Sequence, residues 1–331
     1  MKNKLIVWLV RLLQRFIPVN HTGSILVVST TALGDTLWAT PALESLRASF
    51  PNAHLAVLTS PVGEQVLRHN PWTNVVHVLR EPVLPRFFSL WKQLRSFETV
   101  IVLHASQRLV FPLCALLGAR RLVGSSGWNK GLDSLFTDIV PDKKQHEIVR
   151  RLELVERVGA KRVSEKLSYF IQPEERVSGG YVVLHPGAKD AFRRWPESHF
   201  AALGQMLRKR GHEVLVTGNK AEELMVQRVS AQIPGATTSD PTLSLRQFAG
   251  LLSGAKLVIT NDTGPLHLAC ALNIPVLAVF ACTDPALFGP HRAEQARVIA
   301  RHPTCDPCLK RTCRRPFCQL QISPDEVLRY V

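Results

Sequence analysis

The chain has 331 residues, 46% of them hydrophobic and 20% charged, and this length is about twice the ~150 residues of a usual domain. It therefore predicts two domains, each large enough to bury a core. Lysine and arginine number 41 against 26 aspartates and glutamates, a formal net charge of +15, which favours an anionic partner. No RNP-type motif, zinc-finger spacing or basic region with a heptad repeat is found, so we expect no nucleic-acid partner.

The first seventeen residues have an apolar stripe at helical spacing, with cations between its members. The uninterrupted apolar run, Leu5 to Val10, is far shorter than the ~20 residues that span a bilayer, and no signal-peptide cleavage site follows it. The pattern predicts an amphipathic helix over residues 1–20 that lies in a membrane interface, with its cations facing anionic headgroups. Docking of this helix on the protein's own surface is the alternative.

From Ser24 onward, short apolar runs rich in β-branched residues alternate with helical patterns. The runs are 25–29, 54–59, 75–79 and 99–104, then 181–185, 213–218, 256–260 and 275–280. Strands that are apolar on both faces and alternate with helices predict doubly wound α/β domains with parallel sheets. The stretch 166–180, with its Pro and Gly-Gly, separates the two series. We therefore expect an N-terminal domain over 21–170 and a C-terminal domain over 171–331.

The first candidate loop, residues 29–43, follows the first predicted strand. Open α/β sheets bind ligands beyond the carboxyl ends of their strands. Gly34 allows a tight turn, and Asp35 follows it at a predicted helix start, where the helix dipole favours an ionised carboxylate. Asp35 could accept a proton from a hydroxyl nucleophile, or it could simply cap the helix. Thr40 and Pro41 indicate a second helix start.

The second candidate loop, residues 184–200, carries cations after a predicted strand. The sequence His-Pro-Gly at 185–187 turns the chain, and Lys189, Arg193 and Arg194 follow before the next helix. Such cations suit a diphosphate, whose charge must be held as it leaves. A solvated basic loop is the alternative.

The third candidate loop, residues 259–272, is polar within an otherwise apolar strand–helix unit. Asp262 lies at the strand end, Thr263 and Gly264 make the turn, and the helix opened by the next proline carries His267. Backbone N–H groups at such a helix start, with the Thr263 hydroxyl, can cradle phosphate. A cap and a turn would explain several of these residues equally well.

In this order, the three loops are similar to those of the glycosyltransferase family that contains the ADP-heptose:lipopolysaccharide heptosyltransferases. The resemblance covers nearly the whole chain from Ser24 to Val331, including NDTGPLHLA and a Cys-rich stretch before 322–327. It implies a GT-B fold of two Rossmann-like domains that face each other across a cleft. The N-terminal domain would bind the acceptor and the C-terminal domain the sugar nucleotide. The transfer would be inverting, with no metal and no cofactor.

Carried over residue by residue, the resemblance makes Asp35 the general base that deprotonates the acceptor hydroxyl, on a loop with Thr31 and Gly34. Arg193 would hold the donor diphosphate at a position where members of the family carry Lys. Arginine keeps the charge but replaces a compact ammonium with a planar fork, so the donor class is better determined than the donor itself. The donor site would include the following residues: Lys189, Arg193, Arg194, Asp262, Thr263, Gly264 and His267.

The resemblance also implies the partners. The donor would be ADP-heptose or a similar sugar nucleotide, and the acceptor a glycolipid of the lipopolysaccharide inner core. The chain would be cytoplasmic and peripheral at the cytoplasmic face of the inner membrane, where its basic surplus raises the encounter rate. Alternatives are a GT-B transferase or epimerase that uses another sugar nucleotide, or a non-catalytic binding protein of envelope biogenesis.

Four of the seven cysteines form a C-x2-C-x4-C-x4-C pattern: Cys305, Cys308, Cys313 and Cys318. Four thiols within the segment 305–318 could bind zinc, but the spacing is weaker than that of paired C-x2-C knuckles. Reduced thiols or an occasional disulfide are the alternatives, and we expect no part in catalysis. Apolar surroundings predict that Cys114, Cys270 and Cys282 are buried.

Overall fold

The computed structural model describes residues 2–301, 305, 308, 313 and 317–331, with only the backbone for Lys2 and Phe317. The chain divides into two compact units, Met1–Glu165 and Lys166–Val331. The division lies at the start of the Pro- and Gly-containing stretch 166–180.

The first unit contains a six-stranded parallel sheet in the order β3-β2-β1-β4-β5-β6. Its strands are β1 Ile25–Ser29, β2 Leu55–Thr59, β3 Val75–Val78, β4 Thr99–His104, β5 Arg121–Ser125 and β6 Asp138–Val140. Its helices are α1 Lys2–Gln14, α2 Leu33–Ser49, α3 Pro61–Leu67, α4 Phe87–Leu94, α5 Val110–Ala115 and α6 Glu147–Glu156. The central strand β1 is buried throughout, as its apolar sequence predicts.

The second unit repeats this topology, with the order β12-β11-β10-β7-β8-β9. Its strands are β7 Val182–His185, β8 Val214–Val216, β9 Thr237–Thr238, β10 Leu257–Asn261, β11 Val276–Phe280 and β12 Ala296–Ala300. Its helices are α7 Glu197–Lys209, α8 Glu223–Ala231, α9 Leu245–Ser253, α10 Gly264–Ala271, α11 Pro285–Phe288, α12 Phe317–Leu320 and α13 Pro324–Leu328. In each sheet the strand order reverses beside the first strand, between β1 and β4 and between β7 and β10. Such a switch point leaves a crevice beyond the carboxyl ends of the strands.

Helix α2 corrects two local predictions. It runs unbroken through Pro41, so the predicted second helix start at Thr40 and Pro41 is wrong. Proline lacks the N–H that would bond the Leu37 carbonyl, and the Thr40 hydroxyl donates to that carbonyl instead, at 2.8 Å. The predicted turn at Gly34 is also wrong, because Gly34 lies within the first turn of the helix.

Helix α1 docks on the first unit by one face and leaves another face exposed. Val10 is buried in the core of that unit, and the Gln14 side-chain amide donates to the Ala115 carbonyl at 2.9 Å. Six large apolar side chains of α1 and of the turn that follows it are exposed: Leu5, Trp8, Leu9, Leu12, Leu13 and Phe16. Among the described residues, no helix combines the length and the apolarity needed to cross a bilayer.

Candidate active site

The first candidate site lies at the switch point of the first sheet. β1 ends at Ser29, which pairs with His104, the last residue of β4, after a register shift between Val28 and Ser29. The chain then enters α2, and Asp35 lies in its first turn. Adjacent parallel strands thus bring Asp35 and His104 together, with 3.0 Å between Asp35 Oδ1 and His104 Nδ1.

Asp35 is held by His104 and Arg151 on one oxygen and by the helix start on the other. Besides His104, its Oδ1 accepts a hydrogen bond from Arg151 Nη2 at 3.1 Å. Oδ2 accepts from the backbone N–H of Ala32 at 3.3 Å, and Ala32, not Asp35, is the N-cap residue. The two roles considered for Asp35 are therefore compatible, since it stabilises the helix start while facing the switch point.

The pKa of Asp35 reflects two opposing effects. Burial alone would raise it, but the hydrogen bond with His104 and the electrostatic attraction of His104 and Arg151 together hold it well below its usual range. Asp35 is therefore a firmly ionised carboxylate. Since an ionised carboxylate only accepts hydrogen bonds, His104 donates to it from Nδ1.

A buried charge cluster, formed by Asp35, Glu147, Arg150 and Arg151, supports this carboxylate. Both arginines on α6 are almost fully buried, and both hydrogen bond to the carboxylate of Glu147. Burial alone would raise the pKa of Glu147, but the charges of Arg151 and Arg150 and their hydrogen bonds bring it down to about 2. The sequence analysis identified neither His104 nor the three α6 residues.

Two tryptophans pack on the guanidinium groups of this cluster. The Arg151 guanidinium lies 5.3 Å from the ring centroid of Trp38, and the Arg150 guanidinium lies 4.3 Å from that of Trp128. Such stacking leaves the in-plane N–H donors of arginine available for the carboxylates. Thr31, on the loop after β1, is half-buried, and its carbonyl accepts a hydrogen bond from the Ser60 hydroxyl at 2.7 Å.

The second candidate site lies at the switch point of the second sheet, where β7 and β10 end. Asn261, the last residue of β10, is completely buried. Its Nδ2 donates to the Pro186 carbonyl at 2.8 Å, and its Oδ1 accepts from the Trp195 backbone N–H at 2.8 Å. Asn261 thus joins the His-Pro-Gly turn to the basic loop. The sequence analysis did not assign it a role.

Asp262 and Arg193 form an ion pair at this edge, with 2.9 Å between Arg193 Nη1 and Asp262 Oδ2. The same Oδ2 accepts from the Thr283 hydroxyl at 2.6 Å. Burial raises the pKa of Asp262, and Arg193 and Thr283 offset only part of this effect. Asp190, 3.7 Å from Arg193 Nε, adds a second negative charge beside the guanidinium.

The other predicted donor-site cations have different surroundings. Arg194 Nε donates to the Ala188 carbonyl at 2.8 Å, which braces the loop. Lys189 is exposed and forms no hydrogen bond or ion pair with the described residues. Only Arg193 contacts Asp262 directly, although all three lie within the same short loop.

Helix α10 begins where the sequence predicts. Thr263 is its N-cap residue, Gly264 its first residue, and the predicted proline follows at the start of the helix. His267 lies buried further along the same helix. The backbone N–H groups of the first turn therefore point towards the edge that carries Asp262.

The cysteines were predicted less completely. Cys114 and Cys282 are buried as predicted, whereas Cys270 is only partly buried. Cys282 Sγ lies 3.2 Å from Cys318 Sγ. In the described part of the chain, no three His, Cys, Asp or Glu side chains are grouped closely enough to hold a metal. Residues 302–304, 306–307, 309–312 and 314–316 lie outside the described residues, so the metal alternative for 305–318 stays a prediction.

Comparisons with known proteins identify the family of this chain. The sequence profile of glycosyltransferase family 9 (heptosyltransferase) matches residues 87–318. Lipopolysaccharide heptosyltransferase 3 of Escherichia coli is 26% identical over 286 residues, covering 78% of this chain and 83% of that protein.

Two solved structures show the same fold. A glycosyl transferase family 9 protein from Veillonella parvula matches with a TM-score of 0.83 and 20% identity, covering 95% of this chain and 97% of that one. An E. coli heptosyltransferase with ADP-2-deoxy-2-fluoro heptose matches with a TM-score of 0.73 and 20% identity, covering 93% and 98%. The α/β GT-B fold predicted from the sequence is confirmed. Since the family profile also spans most of the chain, this protein is a glycosyltransferase and belongs to family 9.

Proposed function

We propose that the chain transfers a heptose from ADP-heptose to a lipopolysaccharide inner-core acceptor, with inversion and without a metal. The observation that carries the proposal is the pair of switch-point sites, an ionised carboxylate at Asp35 and a cation at Arg193 paired with Asp262. The relatives support the choice of sugar, because one is named as a lipopolysaccharide heptosyltransferase and another was solved with a fluorinated ADP-heptose.

In this proposal the first unit binds the acceptor, on the loop with Thr31 and Gly34, and the second unit binds the sugar nucleotide. The ionised Asp35 is the general base that deprotonates the acceptor hydroxyl. Arg193 stabilises the leaving diphosphate, and Asp262 fixes the orientation of the Arg193 guanidinium group. The remaining donor contacts come from Lys189, Arg194, Thr263, Gly264 and His267. Each unit thus supplies one part of the displacement.

The test incubates the native protein with ADP-heptose and a panel of truncated core glycolipids, and follows the acceptor by mass spectrometry. We expect the acceptor to gain one heptose. Asp35→Asn should lose at least ~100-fold in rate, since general-base catalysis contributes about 10²–10⁴. Asp142→Asn, which changes an exposed aspartate of the same unit, is the control and should keep its rate.

Each alternative has its own outcome. Transfer from another sugar nucleotide but not from ADP-heptose would indicate a different transferase of the same fold. Conversion of a nucleotide sugar without any acceptor would indicate an epimerase. Failure of a full donor panel would leave the non-catalytic binding protein.

We further propose that α1 places the enzyme at the cytoplasmic face of the inner membrane. Trp8 on α1 and Phe16 in the turn that follows it are 61% and 81% exposed, on the apolar side that the docking of α1 leaves uncovered. On a helical wheel, Lys4, Arg11 and Arg15 lie beside this face. An apolar face flanked by cations fits the interface of an anionic bilayer, where the acceptor glycolipid is also found.

Sedimentation with lipid vesicles tests this placement. The native protein should bind phosphatidylglycerol vesicles more strongly than phosphatidylcholine vesicles. Trp8→Ser combined with Phe16→Ser should weaken binding at least ~10-fold, because each buried aromatic side chain contributes about 1.5–3 kcal/mol. Leu224→Ser, at a residue 69% exposed in the second unit, is the control. If this double variant binds the vesicles as strongly as the native protein, the exposed apolar side of α1 does not bind the membrane.

A further inference from the structure

A row of three cations runs along one side of α1. Lys4 and Arg11 lie on the helix, and Arg15 lies in the turn that follows it. Neither Lys4 nor Arg15 forms a hydrogen bond or an ion pair with any described residue. No aspartate or glutamate precedes Asp35 in the chain, so α1 carries no negative charge that could balance them. Such a local surplus of positive charge favours an anionic ligand.

These cations line a cleft between α1 and the segment 126–135, which joins β5 to β6. The opposite wall of the cleft is formed by Gly131 and Ser134. The cleft has a volume of about 630 Å³, within the range of ~300–1,000 Å³ that is usual for small-molecule sites. On the α1 wall, Trp8 and Leu12 add apolar surface and are 61% and 37% exposed. The cleft therefore offers positive charge and apolar surface together.

Hydrogen bonds across the cleft hold its two walls together. Asn3 Nδ2 donates to the carbonyls of Lys130 and Gly131, at 3.2 and 3.1 Å. Arg11 Nη2 donates to the Ser134 carbonyl at 3.1 Å, which positions the guanidinium group and leaves its other donors available. The cleft is thus formed before any ligand binds, and this lowers the free-energy cost of binding.

No carboxylate neutralises the cleft among the described residues that line it. Asp133 is the one acidic residue of the segment 126–135, and it does not line the cleft. Its Oδ2 accepts from the Gly127 backbone N–H at 2.8 Å, and its Oδ1 accepts from Asn129 Nδ2 at 3.0 Å. Asp133 is therefore bonded within its own segment, and the cleft keeps its three positive charges.

We propose that this cleft binds an anionic phospholipid, with the phosphate between Arg11 and Arg15 and an acyl chain along Trp8 and Leu12. Residues four apart have Cβ atoms about 5–6 Å from each other, so both arginines can reach one phosphate. A phosphate alone would leave Trp8 and Leu12 in water, whereas an acyl chain covers them. The inference deepens the proposed membrane placement of α1 and rests on it, because it assigns that contact a defined site and a headgroup class.

The cleft is connected with the first candidate site through the segment 126–135. Trp128 of this segment has its ring centroid 5.4 Å from that of His104. His104 in turn lies 3.0 Å from Asp35. A phospholipid in the cleft therefore holds the membrane surface beside the proposed acceptor loop of this unit, where a glycolipid acceptor would be presented.

Titration with dihexanoyl phosphatidylglycerol below its critical micelle concentration tests the site, because a dissolved lipid separates a site from adhesion to a bilayer. We expect calorimetry to show saturable binding of one lipid per chain. Dihexanoyl phosphatidylcholine has the same chains but carries a cation, so it should bind at least ~10-fold more weakly.

A pair of matched arginine variants tests the phosphate contact. Arg15→Gln should weaken binding of the dissolved phosphatidylglycerol at least ~10-fold, because it removes a charge-assisted hydrogen bond. Arg68→Gln is the control, since Arg68 is also exposed and also lacks a bond to any described residue. It lies at the end of α3, which packs against α2, and its loss should change binding less than ~2-fold. Neither substitution removes a contact within the described protein, and thermal unfolding checks that both variants are folded.

A pair of aromatic variants tests the acyl-chain contact. Trp8 lines the cleft and Phe16 does not, although both are exposed. Trp8→Ser should weaken binding of the dissolved lipid about 10-fold, because the lipid no longer covers the ring. Phe16→Ser should leave this binding within ~2-fold of the native value and weaken only the binding of vesicles.

Three results would overturn the inference. Glycerol phosphate that binds as tightly as the dissolved phosphatidylglycerol would indicate a site for phosphate alone. Equal losses in Arg15→Gln and Arg68→Gln would show that only the net charge matters. Vesicle binding without any binding of the dissolved lipid would overturn the site and leave the membrane placement intact. Failure of heptose transfer would appear only in the mass of the acceptor, so it is distinguishable from each of these results.

Discussion

The two switch points hold their charged side chains in different ways. At the edge of the first sheet, Arg151 is completely buried and Glu147 is 7% exposed, and both bond within the buried charge cluster. At the same edge of the second sheet, Arg193 keeps 32% of its side chain exposed, and Lys189 is exposed outright. The topology is the same, but the electrostatic arrangement is not.

This difference separates charges that build a site from charges that meet a ligand. Burying a charge costs free energy unless partners satisfy it. In the first unit, Arg150 and Arg151 each bond to a carboxylate and stack on a tryptophan ring. Arg193 and Lys189, at the switch point of the second unit, remain accessible to a phosphate. We therefore expect substitutions in the first unit to lower stability and those in the second unit to lower donor affinity.

The largest expected effect is the loss of folding stability on Arg151→Met. Glu147 and Asp35 would lose a buried cationic partner, which typically costs about 3–5 kcal/mol in the free energy of unfolding. Arg157→Met is the matched control, since Arg157 also pairs with an aspartate, Asp138, but is 57% exposed. An exposed pair of this kind contributes less than ~1 kcal/mol. Urea unfolding of both variants measures the difference, and equal losses would remove the distinction between the two kinds of charge.

A smaller effect, with a defined pH dependence, is expected for Glu147→Gln. The pKa of Glu147 in the folded protein is about 2, below its ordinary value of 4.5. The stabilisation by the carboxylate is therefore complete above pH 4.5 and is lost as the pH falls towards 2. We expect the native protein to exceed the variant by about 1.5–3 kcal/mol at pH 7, the usual value for hydrogen bonds to charged groups.

Urea unfolding of the two proteins between pH 7 and pH 3 checks this prediction. The gap in unfolding free energy should stay constant down to about pH 5 and narrow below it. A gap that is the same at every pH would show that the loss comes from packing and not from the charge of Glu147.

The apolar runs predicted the central strands, because a strand that is buried on both faces consists almost entirely of apolar residues. All eight predicted strands are present within two residues of their predicted bounds. Four strands were missed: β5, β6, β9 and β12. β6, β9 and β12 lie at sheet edges, where fewer apolar residues are needed, and β5 carries Arg121 and Gly124.

The residues of the candidate sites were likewise predicted only in part. Positions after strands predicted Asp35 and Asp262. His104 was missed because it is the last residue of β4 and lay within the predicted strand 99–104. No local signal could have identified Arg151, because two adjacent arginines in an amphipathic helix look like a solvated face. Its burial follows from the packing of α6 against α2, which the sequence pattern does not show. The roles of Lys189, Arg194 and His267 remain predictions.

The smallest expected effect concerns Arg193, the accessible cation at the switch point of the second unit. Arg193→Gln removes a cation and a fork that could bond a diphosphate, so the KM for the sugar nucleotide should rise about 10-fold, or ~1.4 kcal/mol. Stability should change by less than ~1 kcal/mol, because Asp262 keeps the bond from Thr283 and, with its pKa raised by burial, can take up a proton. Lys256→Gln, at an exposed cation before β10 and hence at the opposite edge of the sheet, should leave the KM unchanged. A large loss of stability in Arg193→Gln with an unchanged KM would mean that Arg193, like Arg151, builds the fold and does not meet the donor.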